Sequence, residues 1–271
     1  MITHAAKKPG ATGSPKAATD RQYVTALGRG LAVLRCFDAL RPQLGTTEIA
    51  QMTKLPQPTV WRLCYTLQQL GYLVQSPDNP DKLRVGMAVL GLGQLSLRSP
   101  EISEMALPEM TRIAKLGGAV SLAVHDQNDM LIIQRAQGDG PLLVNLAIGS
   151  RLPLSSSSAG WAYLAALPSK ERGEALSKLK PLHPGKWNAL RAAIESASAA
   201  YRIDGFVLNE GYFHPNVNAV GAAATDRFGL PQYVVNCGGP NLKPKLLRDE
   251  IGPAVAELAR RISVALAARP S

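Results

Sequence analysis

The sequence predicts an α+β chain in two parts: a winged helix-turn-helix at the N-terminus and, after a linker helix, an antiparallel sheet covered by helices. Three observations predict it. Between residues 22 and 86 three helical patterns lead into two short β-like runs around a turn. From about residue 101 the pattern changes to β-rich runs flanked by amphipathic helices. The charge divides along the same line: the first 100 residues carry 12 Lys+Arg against 5 Asp+Glu, and the other 171 carry 18 against 15. A chain of 271 residues is long enough for two such parts. The formal net charge of +10 favours a polyanionic partner, and the asymmetry puts its site in the first third.

Residues 1–21, Gly/Pro-rich with Lys7, Lys8 and Lys16, cannot bury a core and are expected to form a disordered basic tail. YVTALGRGLAVLRCFDAL from Tyr23 has helical spacing, with Val24, Leu27, Leu31, Leu34 and Phe37 on one side. TTEIAQMTKL is a second, short helix with Thr46 or Thr47 as N-cap and Ile49, Ala50 and Met52 inward, broken at Leu55-Pro56. A third helix follows, with Gln57 at the cap and Pro58 at the first helical position, where a missing N–H costs nothing. Its buried side is Val60, Leu63, Cys64, Leu67 and Leu70. YLVQ and KLRV then flank the turn-rich tip SPDNPD as a hairpin. The expected extents are 22–86 for the winged helix, 87–100 for an apolar linker helix that buries one side against a second copy, and 101–271 for the sheet domain.

In that last domain EMALPEMTRIAKLGG is helical, and AVSLAVHD, DMLIIQRA and PLLVNLAI are β-rich runs. A helix starts within SSSSAGWAYLAAL; PSKERGEALSKLK and WNALRAAIESASAAYRI are amphipathic helices. AVGAAATD and QYVVNCGG are strands around a turn at Arg227-Phe228-Gly229, and LLRDEIGPAVAELARRISVALA is a closing helix.

The third helix has an unusual outer face. Thr59, Arg62, Thr66 and Gln69 form a stripe flanked by Trp61, Tyr65 and Gln68, and no Asp or Glu occurs between Glu48 and Asp78. A solvated face normally mixes both signs of charge. A helix docked in a DNA major groove excludes carboxylates, because phosphates repel them, while Arg, Gln and Thr reach base edges. The DNA-contact candidates are therefore Gln57, Pro58 and Thr59 at the leading end, Trp61, Arg62 and Tyr65 along the face, Thr46 and Thr47 at the start of the second helix, and Lys82 and Arg84 on the returning hairpin strand. Cys36, Cys64 and Cys237 are odd in number and far apart, which implies a reducing compartment and no zinc site. The start is too polar for a signal peptide and no apolar run is long enough to span a bilayer, so a cytoplasmic protein with no membrane partner is expected.

These segments together resemble one known family. TTEIAQMTKLPQPTVWRLCYTLQQLGYL, the L-x-V-G at Leu83 to Gly86, RLPLSSSSAGWAYLAALP, the IDGF at 203–206 and the GGP at 238–240 are similar to an IclR-type transcriptional regulator over roughly residues 22–267. The resemblance implies a GAF-like C-terminal domain that binds a small organic effector. It also implies homodimers, often paired as dimers of dimers, on double-stranded operator DNA, with repression the commoner outcome.

Ser155, Ser156, Ser157 and Ser158 precede an apolar helical run, where hydroxyls and unpaired N–H groups make an anion site. The resemblance brings Ser158, Ala159, Asn209, Val217, Ala219, Asn236 and Gly238 to the effector pocket, and strand alternation puts Asn236 and Gly238 on one face. His214 is a further candidate contact. The chain departs from the family pattern at Asn209, which replaces an acid, at Asn236, which replaces a small hydroxyl residue, and at Trp161, which replaces a Lys. A neutral, donor-rich wall suits a small carboxylate, aromatic acids included. An enzyme is the weaker alternative. The serine run lacks G-x-S-x-G and an evident His/Asp partner, and His4, His125, His183 and His214 lack metal-ligand spacing, so no catalytic residue, metal or cofactor is expected. An oligomeric scaffold that does not bind DNA is the other alternative.

Overall fold

The computed structural model describes residues 22–38, 41–97, 100–138 and 146–268. The expected basic tail lies outside them. The chain divides into two compact units, Met1–Arg98 and Ser99–Ser271.

The first unit contains α1 (Thr25–Leu34), β1 (Gln43–Leu44), α2 (Thr46–Thr53), α3 (Gln57–Gln69), β2 (Leu73–Gln75), β3 (Leu83–Val85) and α4 (Ala88–Leu97). Val33, Cys36, Leu44, Ile49, Val60, Cys64, Leu73 and Leu83 form its core. The strands pair antiparallel in the order β1-β3-β2, so the expected hairpin gains a third strand, two residues long. Several expected positions shift. Gly45, not Thr46 or Thr47, is the N-cap of α2, and its N–H donates to the Glu48 carboxylate at 2.7 Å. Pro56, not Gln57, caps α3, which puts Pro58 one place further in, still within the turn whose N–H groups have no helical partner. Leu70 is 60% exposed because the helix ends there: Gly71, at φ +75°, takes the left-handed position, with Tyr72 N–H on Leu67 C=O at 2.8 Å and Gly71 N–H on Gln68 C=O. On α1 the expected inner stripe divides, with Leu34 and Phe37 against the core and Val24, Leu27 and Leu31 exposed. Gly91 and Gly93 lie inside α4 and form no loop.

The second unit contains α5 (Pro100–Ala114), β4 (Ala119–Asp126), β5 (Asp129–Gln137), β6 (Arg151–Pro153), α6 (Ser158–Ala166), α7 (Ser169–Leu179), α8 (Trp187–Asp204), β7 (Val207–His214), β8 (Val217–Thr225) and β9 (Pro231–Pro240). The short α9 (Pro244–Leu246) runs through a π turn, Leu247–Ile251, into α10 (Gly252–Ala267). The antiparallel sheet has the order β6-β5-β4-β9-β8-β7. One face, with Val120, Leu122, Val220, Ala222, Val235 and Cys237, packs against α5 and α10. The other, with Ala123, Ile132, Val207, Ala223 and Val234, packs against α6 and α8.

Two expectations change. Of the expected strand PLLVNLAI, residues 141–145 lie outside the described residues, Leu146–Ile148 are not in a strand, and the pairing with β5 is made by β6. The stretch after the GF, given no element by its spacing, is the strand β7, bulged between Glu210 and His214.

Candidate functional site

In the first unit α3 presents its expected face. Arg62 is exposed, Trp61 is 59% exposed, and the Trp61 and Tyr65 rings stack with centroids 5.7 Å apart. Gln57 Nε2 donates to Thr47 Oγ1 at 3.0 Å, which ties the start of α3 to α2. Thr66 spends its hydroxyl on Arg62 C=O at 3.0 Å. Thr59 is half-buried, Thr46 lies in the first turn of α2, and Arg84 is exposed on β3. Lys82 sits 3.6 Å from Glu48, the carboxylate that caps α2. The Cys36 and Cys64 thiols, both in this core, are pushed by burial up to about 11, and Cys237 in the second unit to about 12; thiols held neutral are not nucleophiles.

In the second unit the register assembles the other expected site. Cross-strand partners share a face, and one row runs Arg135, Ser121, Asn236, Gly221, Val207 across β5, β4, β9, β8 and β7. The next row is Gln137, Ala119, Gly238, Ala219, Asn209. Cys237 points to the other face, where its thiol donates to Gly117 C=O. The start of α6 sits on this floor: a Cβ on Gly221 would meet Ser158 C=O at 2.6 Å, so glycine permits the approach.

At that helix start Ser157 is the N-cap. Its Oγ accepts from Gly160 N–H at 3.0 Å and donates to Pro153 C=O at 2.7 Å. Ser155 C=O accepts from Trp161 Nε1 at 2.7 Å, and Ser156 C=O accepts from Asn209 Nδ2 at 3.1 Å. Trp161 is buried and its ring meets Tyr212 at 4.8 Å. Ser155, Ser158 and Ala159 are buried with it, and Val217 and Ala219 supply apolar wall. Asn209 is 1% exposed and Asn236 8%, and the Oδ1 of each is buried with no hydrogen-bond partner. Such oxygens cost free energy, which marks a place where a polar guest is expected.

His214, exposed at the end of β7, pairs across the sheet with Val217, and its Nδ1 accepts from Asn216 N–H at 3.4 Å. Ser121 and Arg135, not among the expected site residues, share this face of the sheet, the basin beneath α6. Arg135 is half-buried, and burial draws its guanidinium below its ordinary value, the mark of a cation partly removed from water. Its facing depends on a bulge in β5 opposite Leu122 and Ala123, which a count by twos along DMLIIQRA does not contain. A cleft of about 640 Å³ lies elsewhere on the unit, lined by His125, Tyr163, Leu167, Glu171, Glu174 and Lys178 among others. The three charged groups there are exposed, whereas the basin holds two buried amide oxygens without partners. The basin is therefore the candidate ligand site.

Comparison with known proteins decides the family. Residues 26–77 match the IclR helix-turn-helix domain, and residues 94–264 match the bacterial transcriptional regulator IclR C-terminal domain. The chain belongs to the IclR family. Its relatives include the HTH-type transcriptional regulator TsaQ1/TsaQ2 of Comamonas testosteroni, 30% identical over 253 residues that span 91% of this chain and 90% of that one. Among solved structures, an IclR family transcriptional regulator from Brucella abortus is 37% identical, covers 93% of this chain and 96% of its own, and superposes with a TM-score of 0.82. An IclR homologue from Microbacterium hydrocarbonoxydans, complexed with 4-hydroxybenzoate, is 25% identical, covers 89% and 99%, and has a TM-score of 0.66. This IclR-family chain is thus a transcriptional regulator with an N-terminal DNA-binding helix-turn-helix domain and a C-terminal effector-binding domain. No helix among the described residues is long and apolar enough to cross a membrane.

Proposed function

We propose that this IclR-family regulator is a cytoplasmic repressor that binds operator DNA through α3 and whose operator binding is modulated by a small organic acid bound in the basin beneath α6. The observation that carries the first half is the acid-free, exposed α3 face, with Arg62 its cation. Gln57, Thr59 and Arg62 read base edges, Trp61 and Tyr65 wall the groove, and Thr46, Thr47, Pro58, Lys82 and Arg84 lie against the backbone. The place of the second half is supported by the buried Asn209 and Asn236 oxygens, which await a hydrogen-bonding guest, and by the serine-rich helix start, with Val217, Ala219 and Gly238 forming the compact floor. The reader domain is 22–86, the linker 87–100 and the sensor 101–271. A homodimer, itself paired into a dimer of dimers, covers the exposed Val24, Leu27 and Leu31 of α1 and the exposed Met87, Leu90 and Leu92 around α4.

Two measurements test this. Duplex binding is titrated against salt: affinity falls steeply as salt rises if phosphates are contacted, and a flat response replaces the regulator reading with a scaffold. The melting temperature is screened against small acids, beginning with 4-hydroxybenzoate because the Microbacterium homologue holds it. A ligand of the native state raises the apparent melting temperature, and failure of every acid to do so removes the carboxylate.

A further inference from the structure

The strand register gives the basin two chemically different ends. At the β7 end Asn209 has a fixed orientation, because its Nδ2 is spent on Ser156 C=O, so its buried Oδ1 faces inward as an acceptor. Ser155 and Ser156 present carbonyls there that are already engaged, and Ser157 has taken the Gly160 N–H. A carboxylate against Asn209 Oδ1 would set acceptor against acceptor. A hydroxyl fits, since it donates to Oδ1 and accepts from a first-turn N–H of α6 in the same position. At the β5 end Arg135 lies on the same face, with Ser121 beside it and Asn236 one strand beyond. Asn236 ends in an amide that half a turn converts from acceptor to donor, and Ser121 is buried with a hydroxyl that donates either way. A carboxylate withdrawn from water requires a paired, hydrogen-bonded partner, and the Arg135 guanidinium, whose Nη2 donates at 3.4 Å to Gln137 Oε1, supplies two parallel donors in one plane on turning to a carboxylate.

We propose that Arg135 is the residue that binds the effector's carboxylate, and that the effector is an acid carrying a hydroxyl at its far end, seated against Asn209. The inference rests on the effector reading above and gives it a direction and a ligand class. Backbones at Arg135 and Asn209 are four strand spacings apart, about 19 Å along the sheet. The long arginine side chain and two hydrogen bonds take up part of that distance, which leaves room for one ring or a short chain.

The test uses the full chain, its Arg135→Met and Arg135→Lys variants, and a panel of small aliphatic and aromatic acids. Each hydroxy acid is paired with its primary amide and with the acid lacking the hydroxyl. Wild type prefers the acid to the amide and the hydroxylated acid to the plain one. Arg135→Met weakens the acid about 10- to 100-fold and leaves the amide unchanged, while Arg135→Lys recovers part of the preference. A structural role would weaken acid and amide alike, and that result overturns the assignment, as does an Arg135→Met variant that binds the acid as wild type does. A wild type that favours the plain acid overturns the hydroxyl assignment. Should Arg135→Met not fold, Arg135→Gln carries the same acid-to-amide comparison. Failure of every acid to bind wild type is a separate result, since it removes the effector reading itself, whereas binding that ignores Arg135 removes only the inference.

Discussion

The proposed DNA-reading face of α3 and the proposed effector basin beneath α6 are opposite solutions to recognition. The first is exposed, carries its cation on one helix turn, and costs the folded chain nothing, because Arg62, Trp61 and Tyr65 lie outside the core of Val60 and Cys64. The second is buried and drawn from five strands and a helix start, and it keeps two amide oxygens without partners. A surface that reads a polyanion works through charge and shape already in water, whereas a pocket for a small guest must hold polar groups away from water until the guest arrives. Substitutions should therefore behave differently in the two regions: those on α3 change binding and leave stability alone, and those in the basin change both.

The largest expected effect is that of Arg62→Ala. A guanine or phosphate contact is worth about 1–3 kcal/mol, so specific operator affinity falls by roughly one to two orders of magnitude. The melting temperature and its rise with effector stay as in wild type. Footprinting checks the first and thermal shift the second; a protected operator in the variant removes Arg62 from the interface. Gln57→Ala sharpens the point. It frees Thr47 as well as removing the proposed base contact, so it is expected to relax sequence preference more than it weakens random duplex, and equal losses on both argue against base reading.

Asn236→Leu tests the other side. The side chains are similar in volume, and the substitution removes a buried acceptor that has no partner in the free protein. The variant is expected to be more stable than wild type by about 1–2 kcal/mol, to lose the effector-induced thermal shift and to keep operator binding. A destabilised variant shows that Asn236 is satisfied in the free protein. Gly238→Leu is less informative: a Cβ at Gly238 meets Ala219 Cβ at 2.6 Å, so the side chain disturbs the strand pair before it reaches the pocket. Ser157→Ala comes next, with about 1 kcal/mol of stability lost with the Gly160 cap, seen as a lower melting temperature. Ser156→Ala leaves it unchanged, because Ser156 engages Asn209 through its backbone.

The same contrast decides what was legible in the sequence. The α3 face lies on one element with a 3.6-residue period, so spacing and the absence of acids are enough to find it. The winged helix and the strands β4, β5, β8 and β9 follow from patterning of the same local kind. β7 was hidden because NEGYFH has polar and glycine residues where a strand pattern needs apolar ones, and its bulge breaks the alternation. β1 is two residues long, below any periodicity. The apolar stripe of α1 was legible as apolar, but sequence does not say whether the chain's own core or a second copy covers Val24, Leu27 and Leu31. In the basin, Asn209, Asn236 and Gly238 came from family resemblance. Arg135 and Ser121 came only with the register, because a cation in a strand carries no sign of which row it joins until the β5 bulge is known.

The smallest effect separates two cations on the wing. Arg84 is exposed on β3, whereas Lys82 sits 3.6 Å from Glu48, whose carboxylate also holds the Gly45 N–H at the start of α2. Each phosphate contact releases condensed counterions, so Arg84→Ala lowers the slope of log affinity against log salt by about 1. Lys82 must leave Glu48 to reach a phosphate, or stay and neutralise an acid that would repel one. In the second case Lys82→Ala exposes Glu48, and operator affinity falls more at low salt than the loss of a single phosphate contact explains. The pair itself is half-exposed and worth under about 1 kcal/mol, so stability does not distinguish the two cases. The double variant Lys82→Ala with Glu48→Gln does: it recovers affinity relative to Lys82→Ala alone if lysine acts as a shield, and it recovers none if lysine grips the backbone directly. Anisotropy titrations of the four proteins at two salt concentrations read the difference, and equal slopes for Arg84→Ala and wild type remove the wing from the phosphate contacts.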